Sequence, residues 1–219
     1  MKKRERFWFW LLMFLPLAVD LMALPFLPDQ IPAHYGADDQ VTRWGSKWET
    51  LIFPLCTLGF GAMMRGIANA SGKGEKGENN ARVCMLGAIA GLAVFNLMTF
   101  YFLYADFQQA ENLSQVPVDL YQLLMGGTGV AMVFLGNRMP KLGRNSLVGL
   151  RTRWSLQDDD TWKKCQRFGG FSFMLGGVAM VVICLQTKGL GCLFGCLVLF
   201  AILLTVDVAY TRWAATSSQ

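Results

Sequence analysis

FWFWLLMFLPLAVDLMALPFL, residues 7–27, decides the fold. These 21 residues carry a single charged side chain, Asp20. At about 1.5 Å of rise per residue they span about 30 Å, the thickness of a bilayer's hydrocarbon core. Lys2, Lys3, Arg4 and Arg6 precede the run, as in a secretory leader. The run is longer than a leader's apolar region, and no small-x-small cleavage site follows it, so it reads as an uncleaved membrane helix. Pro16 and Pro25 are expected to kink or end it.

Five more stretches have the same character: 48–68, 83–105, 117–135, 168–186 and 189–209. None shows the period-two alternation of barrel strands, and lipid offers the backbone no partners outside a helix or a closed barrel. Across all 219 residues, 53% are hydrophobic and 16% charged, against about 25% charged in soluble domains. Mean hydropathy is +0.35. This composition excludes a disordered chain, a disulfide-rich secreted module and a coiled coil. The expectation is an all-α, polytopic membrane protein: one domain of six transmembrane helices over residues 1–219.

Loop charge sets the orientation. With the N-terminus in the cytoplasm, 17 of the 20 Lys and Arg fall inside, and only Arg43, Lys47 and Lys188 fall outside. Both termini are then cytoplasmic. The formal net charge of +5 reflects a basic inner face. The positive-inside rule accounts for that face, so direct nucleic-acid binding is not expected.

Chemistry of the enzymatic kind is absent from the pattern. His34 is the single histidine, so neither an H-E-x-x-H site nor a Ser-His-Asp triad can be assembled. No phosphate-cradling glycine loop occurs. His34 with Asp38 and Asp39 matches no standard zinc spacing. Five of the six cysteines lie in spans, without a C-x-x-C, and Cys192 and Cys196 at i, i+4 read as small packing residues. The chain is read as a non-enzyme without cofactor or metal.

Residues 69–81 read as a flexible connector and residues 106–116 as a short outer loop without a motif. Two other loops carry content. The outer loop, 28–47, holds His34, Tyr35, Trp44 and Lys47, with Trp48 just beyond it. It reads either as an interfacial cap with aromatic anchors or as a recognition surface facing outward. The inner loop, 136–167, is too long for a simple connector. Ser155 followed by Asp158 fits a helix start, and Trp162 and Cys165 then share a face with Phe168 or Gly169. It reads either as an interfacial helix on anionic lipid or as a docking platform for a cytoplasmic protein.

Within the spans, Asp20 must face the bundle or water, and Asn96 is placed to bond across helices. Asp207 is placed to pair with Arg212. Gly126, Gly127, Gly129, Gly176, Gly177 and the pair Gly191 and Gly195 suit close helix packing.

These two loops resemble the SdpI family of bacterial membrane proteins. Ile31, Pro32, His34, Gly45, Ser46 and Lys47 match the signature of that family's amino-terminal domain of unknown function. Tyr35 stands for its usual Trp and Gly36 for its Asn. Gly136, Asn137, Met139, Pro140, Lys141, Asn145, Gly149, Arg151, Thr152, Trp154, Leu156, Trp162 and Arg167 match its inner motifs. Arg153 replaces a Pro there, Ser155 a Thr, and Cys165-Gln166 a Thr-His. The resemblance implies a protein of the bacterial cytoplasmic membrane that gives immunity to a secreted, membrane-active peptide toxin. It also implies signalling, by holding a small winged-helix repressor at the membrane. On that resemblance His34, Tyr35, Trp44, Lys47 and Trp48 would sense the toxin. Asn137, Pro140, Lys141, Asn145, Gly149, Arg151, Thr152, Trp154, Trp162 and Arg167 would dock the repressor or hold the inner bundle. The alternative is a small transporter or lipid-handling protein.

Overall fold

The computed structural model describes residues 3–73 and 77–217. Six helices form it: α1 (Lys3–Ala23), α2 (Ile52–Ser71), α3 (Gly77–Gln108), α4 (Leu120–Gly136), α5 (Asp159–Gln186) and α6 (Gly189–Thr216). Between α1 and α2 lies a two-stranded antiparallel hairpin, β1 (Gln30–Tyr35) and β2 (Val41–Ser46). The fold is all-α with this one hairpin added. Lys2 and Lys76 of the inner basic set lie outside the described residues.

Among the described residues, five segments are long and apolar enough to cross a membrane: Lys3–Phe26, Lys47–Ser71, Gly77–Gln108, Asp159–Gln186 and Gly189–Thr216. The remaining helix, α4, has 17 residues. Large apolar side chains stand exposed around the bundle, among them Phe26, Phe134 and Leu185, as contact with lipid tails requires.

Local chemistry sets the ends. α1 runs through Pro16 to Ala23 and ends where Pro25 sits in a 3-10 turn. Pro16 has no N–H, so the Leu12 carbonyl loses its partner one turn back. The Asn96 amide of α3 supplies it, donating to Leu12 O at 2.8 Å. Helix α2 extends to Ser71 and α3 starts at Gly77, so residues 69–71 and 77–81 of the expected connector are helical. The fifth helix starts at Asp159, capped by Asp158, whose carboxylate accepts from the amides of Asp160 and Thr161 at 2.9 and 2.8 Å. Ser155 is therefore not the cap. It closes the preceding turn, accepting from Thr152 N and donating to Leu150 O, both at 2.9 Å. The residues before Phe168 are the first turns of α5 itself, and Trp162, Cys165 and Gly169 form its buried face.

Glycines make the α4–α5 crossing. A Cβ at Gly129 would fall 2.7 Å from Gly177 O, and one at Gly170 would fall 2.6 Å from Gly136 O. The two pairs are seven residues apart on each helix and bring the backbones into contact. The Gly191 and Gly195 pair does not act this way. Nothing lies within 4 Å of a Gly191 Cβ, and a Gly195 Cβ would meet only Ile183.

Candidate functional site

The hairpin carries the site. Its register pairs Ile31 with Gly45 and Pro32 with Trp44, and it is irregular on both sides of His34. The strands turn at residues 36–40, where Gly36 N donates to Gln40 O at 2.8 Å and Asp39 adopts a φ of 62°. Ser46 and Glu49 form a capping box at the hairpin's exit. Gly45 lies against the Glu49 carboxylate and has no room for a side chain. Lys47 reaches back to Asp29 at 2.9 Å and pins the loop's two ends together. That ammonium, through its hydrogen bond and then its charge, holds the Asp29 carboxyl below the usual range. Arg43 grips Glu49 with two bonds of 3.1 and 2.8 Å.

The residues joining α3 and α4, read from sequence as a loop without content, complete this cap. Val41 N donates to Glu111 O and Leu113 N to Asp39 O, each at 2.9 Å, so the hairpin tip pairs with residues 111–113. Tyr35 reaches over the end of α3 and its hydroxyl donates to Ala110 O at 2.9 Å. Burial, followed by the charge of Asp106, pushes the Tyr35 phenol up, so it stays a neutral donor.

Beneath the hairpin lies a cavity of about 350 Å³. His34 and Tyr35 line it from the hairpin, and its Nδ1-to-Thr42 Oγ1 contact of 2.6 Å holds His34 in place. Phe53 and Phe102, stacked with centroids 5.0 Å apart, and Tyr121 add aromatic wall. Its buried side holds two carboxylates, Asp20 of α1 and Asp106 of α3, 0% and 4% exposed. The Thr50 hydroxyl donates to Asp20 Oδ2 at 3.3 Å and also faces Asp106. Asp20 Oδ1 has no hydrogen-bond partner. Neither carboxylate is in an ion pair among the described residues.

The five outer-loop residues therefore separate. His34 and Tyr35 face the cavity. Trp44 and Trp48 stand exposed, and Lys47 is engaged with Asp29. Asp20, from the intramembrane pair, joins the cavity. Asn96 does not, and serves Leu12 instead. Thr50, Asp106 and Tyr121 escaped sequence reasoning. Asp106 ends an apolar helix at a position that reads as a loop, and no spacing links it to Asp20, 86 residues earlier. The capping signal Ser46-x-x-Glu49 was available to mark the hairpin's exit.

At the other end of the bundle most of the named residues are engaged. Asn145 fills its amide with Gly143 O and Val148 O and accepts from Leu147 N and Val148 N. Gly149 takes a φ of 99°, the left-handed region that suits glycine. Gln166, which departs from the resembled motif, is fully buried and bonds both N–H and C=O of Leu150 at 3.0 Å. Thr152 bonds Thr211 of α6 at 2.9 Å, and the buried Trp162 donates its indole N–H to Leu142 O at 2.9 Å. Asn137 ends α4, and Pro140 packs where a Gly170 Cβ would stand. Arg151 is exposed and bonds Leu147 O at 3.3 Å. Trp154 lies under the Arg153 guanidinium, 4.6 Å from its ring centroid. Lys141 and Arg167 are exposed. Asp207 is buried and forms no ion pair with Arg212 among the described residues, contrary to the sequence expectation.

Cys184 joins Cys192 and Cys196 in a buried group whose sulfurs lie within 4.8 Å of one another, and Met132 and Met180 pack into the same cluster. Soft sulfur donors of this kind suit monovalent copper more than calcium or magnesium. The sequence pattern gave only the i, i+4 pair on α6, because Cys184 belongs to another helix.

Residues 141–210 match the SdpI/YfhL protein family, and residues 11–58 match a domain of unknown function, DUF1648. The chain is 33% identical over 69 residues to "Immunity protein SdpI" of Bacillus subtilis (strain 168). That match covers 32% of this chain and 32% of the relative, so about a third of the relative's length is spanned. No solved structure matches the chain.

Proposed function

Because residues 141–210 match the SdpI/YfhL family and residues 11–58 match DUF1648, we propose that the chain is an immunity protein of the bacterial membrane, protecting the cell from a secreted, membrane-active peptide. The observation that carries this reading is the hairpin cap. It lies within the span that matches DUF1648, is rigidly pinned, and covers a cavity large enough for a small ligand group. In this reading α4 is the sixth span, about 25 Å long at 17 residues. Both termini are cytoplasmic, as the basic inner loops favour, and the hairpin faces outward. His34 and Tyr35 meet the peptide from above the cavity, while the exposed Trp44 and Trp48 anchor the cap at the headgroup level.

The opposite end would dock a cytoplasmic repressor through its exposed basic surface, Lys141, Arg151, Arg153 and Arg167, which suits an acidic partner. Asn145, Gly149, Thr152 and Trp162 hold that surface in shape. A second reading, a small transporter, draws on the buried Asp20 and Asp106, since intramembrane acids mark ion paths. Uptake of a labelled cation into vesicles carrying the protein tests it.

The immunity reading is tested by survival. A sensitive bacterium expressing the chain is challenged with the sibling-type peptide while its membrane potential is followed. Retained potential is the expected result. A collapse matching the empty-vector control refutes it. Labelling from outside at Asp38→Cys, and none at Arg153→Cys, checks the orientation.

A further inference from the structure

We propose that the cavity beneath the hairpin is a binding site for an organic cation, an alkylguanidinium or alkylammonium group, held between Asp20, Asp106 and the aromatic wall. The first argument is a deficit of positive charge. Two buried carboxylates offer four oxygens, and the donor they share, the Thr50 hydroxyl, has one proton. One oxygen, Asp20 Oδ1, is buried without a partner. A buried carboxylate left unpaired is costly, and a cation placed against it removes that cost.

Among the described residues, the chain's own cations do not fill the role. Arg43 is committed to Glu49 and Lys47 to Asp29, both on the hairpin and its exit. Neither reaches the buried side of the cavity.

Size and lining choose the kind of cation. A bare metal ion needs several oxygen ligands within about 2.6 Å and would leave most of 350 Å³ unused. The cavity matches a short alkyl chain ending in a charged head. Phe53, Phe102 and Tyr121 offer ring faces to the stem and to the positive charge. A planar guanidinium can bridge two carboxylates with parallel N–H bonds. This inference rests on the immunity reading only for the biological source of the cation, a basic side chain of the peptide. The site itself stands on the cavity.

The test uses the full chain in phosphatidylcholine nanodiscs, a zwitterionic bilayer that does not itself collect cations, with empty nanodiscs as control. Binding of n-butylguanidinium is compared by calorimetry with that of n-butylurea, which has nearly the same shape and no charge. The guanidinium is expected to bind at least about tenfold tighter than the urea. Asp20→Asn and Asp106→Asn, each shown folded by size-exclusion elution and helical circular dichroism, are expected to erase that preference. Equal binding of the two probes to the unmutated chain overturns the proposal without recourse to any variant. So does a preference that survives in both folded variants. N-acetylarginine methylamide separates the sources: binding alongside n-butylguanidinium assigns the site to a peptide side chain, and binding of n-butylguanidinium alone assigns it to a free small amine. Either result upholds the cation site. Loss of immunity with intact cation binding refutes the survival reading alone.

Discussion

Replacing Asn96 by Leu, in the presence and absence of Pro16, isolates one interhelical bond. Pro16 lies within α1 and denies the Leu12 carbonyl its intrahelical donor. Asn96 repairs this from α3 at 2.8 Å, and its amide also donates to Leu92 O at 2.7 Å. A carbonyl left unpaired in the interior costs about 1–3 kcal/mol, while interhelical side-chain bonds in membranes average about 0.6 and reach about 1.7 kcal/mol. Asn96→Leu is therefore expected to cost about 1–2 kcal/mol. The lower part of that range is favoured because Asn96 Oδ1 has no partner and its loss is a gain. In a Pro16→Ala chain the alanine N–H closes the helical bond to Leu12 O, and Asn96→Leu should then cost about 0.5 kcal/mol or less. The Oδ1 contribution is the same in both backgrounds and cancels, so the cycle reports the Asn96–Leu12 bond. Reversible unfolding in mixed detergent micelles supplies the four free energies. An Asn96→Leu cost equal in the two backgrounds refutes the repair argument.

Two further outcomes are expected. Gly170→Ala places a methyl against the Gly136 carbonyl and should destabilise the protein by about 1–3 kcal/mol in the same assay, whereas Gly191→Ala, facing open space, should stay within about 0.5 kcal/mol. The Thr161 hydroxyl, followed by its amide, holds the Asp158 carboxyl below its ordinary value of about 3.9. The cap's contribution is thus complete above that ordinary value and is lost as pH falls through the lower, folded one. Hydrogen exchange at the first-turn amides of α5 should accelerate relative to mid-helix amides as pH falls from about 5 to about 2, and Asp158→Asn should remove that dependence.

The long apolar runs made the helices legible, because a bilayer enforces both length and backbone satisfaction. Their ends were less legible, since ends depend on local caps. Ser155 and Asp158 both have capping side chains, and the choice between them fell to Ser155's bonds with Thr152 and Leu150. The hairpin was hidden for a different reason. Its alternation is broken around His34, and much of its support comes from Ala110, Glu111 and Leu113, some 75 residues on. Of the glycine pairs of α4 and α5, Gly129 and Gly177 were expected to pack closely and do, while the second pair shows the limit. Gly136 and Gly170 lie on different helices, so no spacing links them, whereas the visible Gly191 and Gly195 pair packs no helix closely.

The residues that carry the family resemblance are largely those that build the scaffold. Gly45 clears the Glu49 carboxylate, Ser46 caps, Lys47 ties the loop's ends, Asn145 closes a turn, Gly149 supplies a left-handed residue, and Trp162 anchors a carbonyl. Such residues fix where the cap and the basic end sit. The cavity is lined by other residues: Asp20, whose Oδ1 is buried without a partner, Asp106, and the aromatic wall of Phe53, Phe102 and Tyr121. No motif marks them, because each comes from a helix whose pattern is dictated by lipid. On the proposed immunity function, discrimination between peptides should follow substitutions at these interior positions more closely than substitutions in the signature itself.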